Sequence, residues 1–508
     1  MLSFLLSAVT SPWTLAAGAL SLLVCYAWMK TRLKHGSSSN IPPFPAPAAP
    51  FLGHTLLLLK SDLLGSITRM RGKAGNVFSL NLLGQHLIVV SGYAPMREVL
   101  TRHADKTQDR PVDLSSQILG EEDHGLMSSR GDNWKEQRAT ALSILRELGL
   151  GKNVLATKTE EEVAIYIERL SSLQGKATDF RPLISAAVSN IICSIVFGHR
   201  FDYGDEYFNR IMENLNKFGA KLPHPLIFYA ATYIKKLPAD IFGLKEWLAC
   251  IDELYTNFIC LQTNKIKESY SPDTDPHNFI HAYLKLMRQK QESGTPTYLD
   301  EPNLVSNVKS IFGAGTETTG TTINWCVLYC LHHPAIQDKV FQEIDSHVGT
   351  ARSPRMSDMA QLPFLTAVIR ETLRIRGVLP IMAREVTRSF QLQGYLIPEG
   401  SQIIFNLKSA LMDPDTWENP DEFLPERFLD SDGRLVKPSE FIPFAIGRRV
   451  CPGESMALME LHLFLASMFQ RFRFEPEDSS AELPSLTGIF GVTLSPRPYK
   501  VRFVTRAV

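Results

Sequence analysis

Residues Phe444–Gly453 read Phe-Ala-Ile-Gly-Arg-Arg-Val-Cys-Pro-Gly and match the spacing Phe-x-x-Gly-x-Arg-x-Cys-x-Gly at all five fixed positions. With ordinary residue frequencies, a chance match in a chain of this length has a probability on the order of one in ten thousand. Cys451 is followed by Pro452, which is favoured at the first position of a helix, and then by a periodic apolar run that predicts a helix over Ser455–Arg471. The pattern therefore predicts a cysteine at a helix N-terminus, where free amides and the helix dipole favour the thiolate.

The same loop suits a flat, iron-containing macrocycle. A Cys451 thiolate is a strong axial donor to iron. Gly447 and Gly453 leave room for a ring that lies close to the backbone, and Arg449 can pair with a carboxylate group of that ring. The alternative is a buried structural cysteine, which is the expected role of the other six cysteines.

This loop resembles the haem-binding loop of the cytochrome P450 family, and further matches occur in the family's order along essentially the whole chain. The resemblance implies haem b (iron protoporphyrin IX), with Cys451 as the axial thiolate and metal ligand. It implies cofactor-binding roles for Phe444, Gly447, Arg449 and Gly453. It also implies the fold class: mainly α with minor β (α+β), with one large helical domain that carries small sheets and follows an N-terminal transmembrane helix.

A second pattern, Ala-Gly-Thr-Glu-Thr-Thr at Ala314–Thr319, lies inside the predicted helix Leu304–His332. Three glycines in this helix each cost about 1 kcal/mol relative to alanine: Gly313, Gly315 and Gly320. They indicate a backbone that approaches something flat and loosens locally, although close helix packing is the alternative. An adjacent acid and alcohol can hold water and relay protons. The resemblance places this helix on the distal face of the haem and implies that Thr318 and Glu317 are catalytic.

A third group of matches is structural. Glu371 and Arg374 share one helix face in the predicted helix Phe364–Arg374 and can form an ion pair. The Glu-x-x-Arg spacing alone is weak, because Glu385–Arg388 has it as well. The resemblance selects the first occurrence and adds Arg427, so that the three residues brace the thiolate loop without taking part in the chemistry.

Several arginines are candidate partners of the haem propionates. Trp134 and Arg138 lie one helical turn apart and could both reach a propionate. The resemblance gives the same role to Arg384 and, more weakly, to Arg110. For any single arginine taken alone, a solvated surface position is the alternative.

The composition excludes several classes of protein. The chain has 508 residues, of which 44% are hydrophobic, and its 53 basic residues balance 53 acidic ones. It is therefore neither disordered nor a small disulfide scaffold, and it has no bulk positive charge for binding nucleic acid. The seven cysteines are odd in number and form no Cys-x-x-Cys motif, which favours a reduced, cytosol-facing compartment.

The N-terminus predicts a membrane anchor. Seventeen uncharged residues, Trp13–Met29, would rise about 26 Å as a helix, and Lys30, Arg32 and Lys34 follow directly. We expect a signal-anchor at 1–29, a basic and proline-rich hinge at 30–50 and the haem-binding catalytic domain at 51–508. A cleaved signal peptide is the alternative, but the segment lacks a positive start. The resemblance to microsomal animal relatives implies a single-pass protein of the endoplasmic reticulum membrane with its catalytic domain in the cytosol.

The resemblance implies a monooxygenase that inserts one oxygen atom from O2 into an apolar substrate: a steroid, a fatty acid or a xenobiotic. No fused flavin region is visible, so electrons would come from NADPH–cytochrome P450 reductase, docked on a basic face that includes Lys135, Arg138 and Arg448. The sequence leaves open whether cytochrome b5 is a second partner. Selectivity is expected from Val112–Met127 and Phe201–Leu248. The alternative functions are a haem-thiolate isomerase or dehydratase that needs no reductase, and a non-enzymatic haem sensor.

Overall fold

The computed structural model describes residues 40–49, 52–58, 62–82, 84–111, 123–149, 153–220, 239–240, 243–478, 480 and 482–506. These residues divide into two compact units: one contains the described residues up to Thr107 together with Ala383–Asn406, and the other contains Gln108–Met382 with the chain from Leu407 onward. The structure is mainly helical with small sheets, as predicted. The predicted anchor at 1–29 and the basic part of the hinge lie outside the described residues. No helix within the described ranges combines the length and the apolar run that a bilayer crossing requires.

The first unit is built around a four-stranded sheet in the order β1-β2-β6-β3. Its elements are α1 (Thr55–Leu58), α2 (Leu63–Ala74), α3 (Tyr93–Arg97), β1 (Val77–Leu82), β2 (Gln85–Ser91), β3 (Met382–Glu385), β4 (Phe390–Leu392), β5 (Tyr395–Ile397) and β6 (Gln402–Asn406). A π-helical turn, Glu98–Arg102, follows α3. Strands β1 and β2 are antiparallel, with Val77 opposite Val90, whereas β2 and β6 run parallel, with Leu87 opposite Gln402.

The alternation of apolar residues over Ser389–Ile397 is typical of a single strand, but this segment contains a tight hairpin of β4 and β5. Gln393 and Gly394 form its turn with φ values of 49° and 83°, a left-handed pair that closes a two-residue hairpin. The Gln-Gly dipeptide indicates this turn, but the apolar residues alternate across it without a break, so the alternation alone predicts one continuous strand.

The described part of the hinge packs on the first unit. The backbone N–H of Ser79, in β1, donates to the carbonyl of Pro43 at 2.9 Å, and that of Leu396, in β5, donates to the carbonyl of Asn40 at 2.6 Å. The ring of Phe44 stacks on His54 with centroids 5.3 Å apart. Residues 40–49 are therefore held against this unit by backbone hydrogen bonds and do not serve as a free spacer.

The second unit contains the remaining helices and two of the three two-stranded sheets among the described residues. Its helices are α4 (Gly125–Ser128), α5 (Gly131–Glu147), α6 (Asn153–Ser171), α7 (Arg181–Val196), α8 (Glu206–Ala220), α9 (Leu244–Ile251), α10 (Cys260–Glu268), α11 (Phe279–Glu292), α12 (Glu301–His332), α13 (Pro334–His347), α14 (Pro363–Ile375), α15 (Lys408–Leu411) and α16 (Glu454–Arg471). Its strands form two antiparallel pairs, β7 (Phe472–Pro476) with β10 (Val501–Thr505) and β8 (Gly488–Phe490) with β9 (Leu494–Pro496). A π-helical segment, Asp252–Ile259, joins α9 to α10, and the 3₁₀ helices are Met356–Gln361 and Pro425–Phe428.

Helix α12 is the centre of the second unit. Asp300 caps its N-terminus by accepting a hydrogen bond from the Asn303 N–H at 2.8 Å, and Pro302 occupies its first turn. These two residues explain why the helix begins at Glu301, before the predicted Leu304. Nearly every residue from Thr319 to Leu331 is buried, so this half of α12 is surrounded by protein on all sides.

The glycines of α12 serve helix packing. A Cβ at Gly315 would lie 2.6 Å from the Cδ1 atom of Ile192 in α7, and a Cβ at Gly320 would lie 3.8 Å from the hydroxyl of Ser185 in the same helix. The helix also continues through this region without a break. The expected local loosening of the backbone is therefore absent from α12, and Gly315 lets α7 cross closely, as the helix-packing alternative has it. The approach of these glycines to a flat group stays a prediction.

Candidate active site

The Cys451 loop is a closed turn that precedes α16. The Cys451 N–H donates to the Phe444 carbonyl and the Val450 N–H to the Gly447 carbonyl, each at 3.1 Å. Gly447 has a φ of 83°, which a residue with a Cβ adopts at a cost, so glycine is required at this corner. The helix begins at Glu454 with Gly453 as its N-cap, so the prediction that Pro452 is the first helical residue was wrong.

Some groups around the Cys451 thiol raise its pKa and others lower it. Burial raises its pKa, and the charge of Glu454 adds to that effect. The Gly453 N–H, which hydrogen-bonds the sulfur, and the positive charges of Arg138 and Arg110 lower the pKa. The net direction is upward, so the helix terminus does not ionise the thiol by itself as we expected. A coordinated metal ion deprotonates a thiol outright, and the surrounding N–H and arginines then stabilise the thiolate.

Arg449, Trp134 and Arg138 form one cluster behind this loop. The Arg449 guanidinium is 7% exposed and donates to the carbonyls of Gln108 (2.9 Å), Leu126 (3.1 Å) and Ser129 (2.7 Å). Its central carbon lies 4.0 Å from the centroid of the Trp134 ring, a cation–π contact. Arg138 donates to the Val450 carbonyl at 2.7 Å. Arg138 therefore fixes the backbone directly before the cysteine, and Arg449 ties the same part of the loop to the segment 108–129.

Helix α12 presents the acid–alcohol pair. The Thr318 hydroxyl donates to the Ala314 carbonyl one turn earlier, at 2.8 Å. The Glu317 carboxyl accepts hydrogen bonds from the hydroxyls of Thr493 at 2.9 Å and Thr321 at 3.3 Å. Burial raises the pKa of Glu317 to about 7, and the two hydroxyls oppose that rise. A carboxyl with this pKa exchanges its proton near neutral pH, which suits a proton-transfer role.

Helix α16 links the cysteine loop to the acid–alcohol helix. Glu460, nine residues after Cys451 in the chain, is 1% exposed and is hydrogen-bonded to Thr319 of α12. Thr319 is the residue that follows Thr318. A change at the loop can therefore reach the acid–alcohol segment through one helix and one side-chain contact.

The chain is similar to known proteins over most of its length. The family model of cytochrome P450 matches residues 42–503. Human cytochrome P450 2D6 is 36% identical over 482 residues, which cover 92% of this chain and 94% of that protein. Mouse cytochrome P450 2U1 is 35% identical (96% and 94% covered), and rabbit (Oryctolagus cuniculus) cytochrome P450 2J1 is 36% identical (99% and 98% covered).

The chain belongs to the cytochrome P450 family. It is a haem-thiolate monooxygenase of the family-2 type, as its relatives are family-2 members and its sequence carries the cysteine loop. The haem-thiolate cofactor, a redox partner and a small-molecule substrate follow from membership of the family.

The residues around Cys451 of this P450 fit a haem with anionic propionates. The Trp134 side chain is 4% exposed, and its indole Nε1–H is buried without a hydrogen-bond acceptor among the described residues. A buried donor left unpaired costs about 1–3 kcal/mol, and a propionate oxygen is an acceptor that would remove this cost. Trp134 and Arg138 would thus hold the carboxylate edge of the cofactor, while Cys451 binds its iron.

Arg384, the other predicted propionate partner, lies on β3 in the first unit of this P450. It is 2% exposed, and one of its Nη atoms donates to the carbonyl of its neighbour Ala383 at 2.7 Å. Arg110 donates to the Met127 sulfur at 2.8 Å. The propionate roles of both arginines, and that of Arg449, remain predictions.

Glu371, Arg374 and Arg427 of this P450 meet in one buried cluster. Arg374 donates two hydrogen bonds to the Glu371 carboxylate, at 2.7 and 2.8 Å, with both side chains 0% exposed. Arg427 donates to the same carboxylate at 3.1 Å, and the Leu424 N–H donates to it at 2.9 Å. Both arginines also donate to the carbonyl of Glu422. The cluster ties α14 to the segment that contains the 3₁₀ helix Pro425–Phe428.

Two residues that bear on the site carry no local sequence signal. Thr493 lies 176 positions from Glu317, and Glu460 appears in the sequence as one acidic residue in an apolar helix. An acid at an otherwise apolar helix position could have drawn attention to Glu460. The partner of Glu317 could not be found without the fold.

Proposed function

We propose that this protein is a microsomal monooxygenase that hydroxylates or epoxidises an apolar substrate with electrons from NADPH–cytochrome P450 reductase. The observation that carries the proposal is the pairing of the Cys451 loop with the acid–alcohol residues Glu317 and Thr318 of α12. A haem bound through a cysteine thiolate supplies oxygen activation. The polypeptide supplies the sulfur, the anchoring of the cofactor and a proton path along α12.

The proton path is assigned to two side chains of α12. Glu317 carries an exchangeable proton near neutral pH, and the Thr318 hydroxyl on the next residue can accept and donate a hydrogen bond. An isomerase or dehydratase would not need this pair, and a haem sensor would need a second axial ligand on the distal helix. Residues 311–322 contain no His, Met or Cys. The sequence of α12 therefore favours the monooxygenase.

The reductase is proposed to dock near the Cys451 loop. Arg448, the exposed residue three positions before the cysteine, and Lys135 on α5 project positive charge from this part of the second unit. Lys135 is already paired with Asp132 at 2.6 Å, but both side chains are more than half exposed and the pair is weak. Charge-based docking predicts that Arg448→Glu and Lys135→Glu raise the reductase concentration needed for half-maximal turnover, and that high salt weakens the wild-type interaction. Lys217→Glu, an exposed change on α8, is the matched control.

The membrane assignment is proposed from the sequence and the relatives. The segment 1–29 would anchor the chain in the endoplasmic reticulum, with residues 51–508 in the cytosol. Protease treatment of sealed microsomes should digest the catalytic domain, and alkaline washing should not release the chain. Release by the alkaline wash would remove the anchor from the proposal.

One reconstitution separates the three candidate functions. The purified chain, loaded with haem, should show the strongly red-shifted CO band of a thiolate-ligated haem, and Cys451→Ser should lose it. Added steroids, fatty acids and drugs should shift the haem band when they bind, and a binder should be oxidised only with NADPH and the reductase. Turnover of an oxygenated lipid without reductase would favour the isomerase, and binding without any turnover would favour the sensor. A CO band that survives in Cys451→Ser would overturn the assignment of the ligand.

A further inference from the structure

The Glu317 carboxyl is held by a residue from the C-terminal hairpin. Thr493, in the turn between β8 and β9, is 2% exposed and donates its hydroxyl to Glu317 Oε1 at 2.9 Å. The hydroxyl of Thr321, on α12 itself, approaches the same oxygen at 3.3 Å. The shorter contact thus comes from a part of the chain distant in sequence from the helix that carries the acid.

Helix α8 closes the other side of this carboxyl. A Cβ at Gly219, in the last turn of α8, would lie 2.3 Å from Glu317 Oε1 and 2.7 Å from its carboxyl carbon. Glycine at this position therefore makes room for the acid. The Gly219 carbonyl accepts the N–H of Val492 at 2.9 Å, which joins α8 to the same hairpin turn. Three elements, α8, α12 and the hairpin, consequently meet at one carboxylate oxygen.

No ion pair accounts for the position of Glu317 among the described residues. The hairpin from Gly488 to Pro496 contains no charged side chain, and the two charged residues in the last two turns of α8, Glu213 and Lys217, are exposed. The pKa of Glu317 is raised by burial and lowered by the hydroxyls of Thr493 and Thr321, and no charge contributes to it. Neutral hydroxyl donors therefore fix this acid, so the loss of one donor has a direct effect on it.

We infer that Thr493 is a positioning residue for proton delivery: its hydroxyl holds the Glu317 carboxyl at the junction of α8 and the hairpin, and so decides when the acid can serve Thr318. The inference rests on the proposed monooxygenase function and assigns a further residue to it. When α8 or the hairpin moves, the hydrogen bond from Thr493 and the clearance at Gly219 change together.

The test compares Thr493→Val with Thr493→Ser in the haem-loaded full chain. The first readout is the infrared band of the protonated Glu317 carboxyl, identified by its absence in Glu317→Gln and followed against pH. A hydroxyl that donates to a carboxyl favours its ionised form. Thr493→Val should therefore raise the midpoint of the Glu317 titration by about one pH unit. Thr493→Ser should keep the wild-type midpoint, and Thr321→Val, which removes the longer contact, should give a smaller rise. Thr487→Val, an exposed change just before β8, is the control and should have no effect.

The second readout is the pH dependence of coupling, measured as product formed per NADPH oxidised. Its inflection should move upward with the infrared midpoint in Thr493→Val and stay in place in Thr493→Ser. Gly219→Ala provides an independent perturbation, because its new Cβ displaces the carboxyl from Thr493; it should reproduce the rise seen in Thr493→Val. An unchanged infrared midpoint in both Thr493→Val and Gly219→Ala would overturn the inference even if the enzyme is active. Absence of the CO band and of turnover in the wild type would instead overturn the proposed function.

Discussion

Replacement of Glu371 by glutamine isolates the electrostatic part of the Glu371–Arg374–Arg427 cluster. The change keeps the size of the side chain and removes one negative charge that two arginines share. Arg374 is 0% exposed, so its guanidinium would be left in the protein interior without a compensating charge. We therefore expect Glu371→Gln to destabilise the haem-bound fold strongly, although the residue has no proposed chemical role.

The expected magnitude follows from burial. Removal of one partner from a buried ion pair costs about 3–5 kcal/mol, whereas an exposed pair contributes about 0–1 kcal/mol. A factor of ten in a rate corresponds to about 1.4 kcal/mol. If the cluster is broken in the transition state for unfolding, a loss of about 3 kcal/mol in stability therefore raises the rate of unfolding roughly hundredfold. Arg288 and Glu292 on α11 form a matched pair of the same residue types at 2.6 Å, with side chains 51% and 60% exposed. Removal of one partner from this exposed pair should change the rate of unfolding less than about fivefold.

The assay is the rate at which the thiolate CO band disappears at a fixed temperature, since a chain of this size is expected to unfold irreversibly. A double-mutant cycle uses Glu371→Gln, Arg374→Met and their combination, and a parallel cycle uses Glu292→Gln and Arg288→Met. The buried cycle should give a coupling of a few kcal/mol, because the double variant leaves no uncompensated charge between these two residues. Equal couplings in the two cycles would refute the argument that burial makes the Glu371–Arg374 pair strong.

Three further predictions concern single side chains. Trp134→Phe removes the unpaired indole N–H and should speed haem loss to a scavenging globin about tenfold to hundredfold. This factor corresponds to the free energy of one hydrogen bond to a charged group. An unchanged rate of haem loss would mean that no propionate binds at Trp134. Thr318→Ala should lower the product formed per NADPH and raise peroxide, and unchanged coupling would remove Thr318 from the proton path. Burial raises the pKa of Glu460 to about 8, so the folded chain keeps a proton that the unfolded chain releases above its ordinary pKa near 4.5. That difference weakens the fold progressively as pH rises from about 4.5 to 8; Glu460→Gln should therefore stabilise the protein more at pH 8 than at pH 5, as measured by thermal inactivation.

The family and the chemical core of the site could be predicted because their signals are local. The cysteine loop places five fixed residues within ten positions, and the helix Leu304–His332 has a continuous apolar pattern that the structure reproduces as α12. The predicted first residues of helices were less accurate where a capping residue determines the start of the helix. Asp300 moves the start of α12 to Glu301, and the Gly453 cap moves the start of α16 past Pro452.

The neighbours of Gly315, Gly219 and Arg449 could not be predicted, because each of these residues contacts a part of the chain that is distant in sequence. A Cβ at position 315 would collide with Ile192 in α7, and a Cβ at position 219 would collide with the carboxyl of Glu317. Arg449 matches a propionate-binding position, yet each of its three nitrogens donates to a backbone carbonyl in the segment 108–129. A sequence pattern identifies the residue type that a position requires; only the fold identifies which neighbour requires it.

The two carboxyls near Thr318 illustrate how the fold separates a proton donor from a structural acid. Glu317 and Thr319 differ by two helix positions, or about 200° around α12, so Glu317 and the Glu460 that Thr319 contacts lie on opposite sides of the helix. Glu460 is 1% exposed with a pKa of about 8, so at neutral pH it keeps its proton and serves packing between α12 and α16. Glu317 has a pKa of about 7 and is partly exposed, so it can both give up a proton and regain one. Efficient proton transfer requires a pKa near the working pH together with access to an exchanging group. Of the two acids, Glu317 alone meets both conditions, and the hydroxyls of Thr493 and Thr321 oppose the rise in its pKa that burial causes.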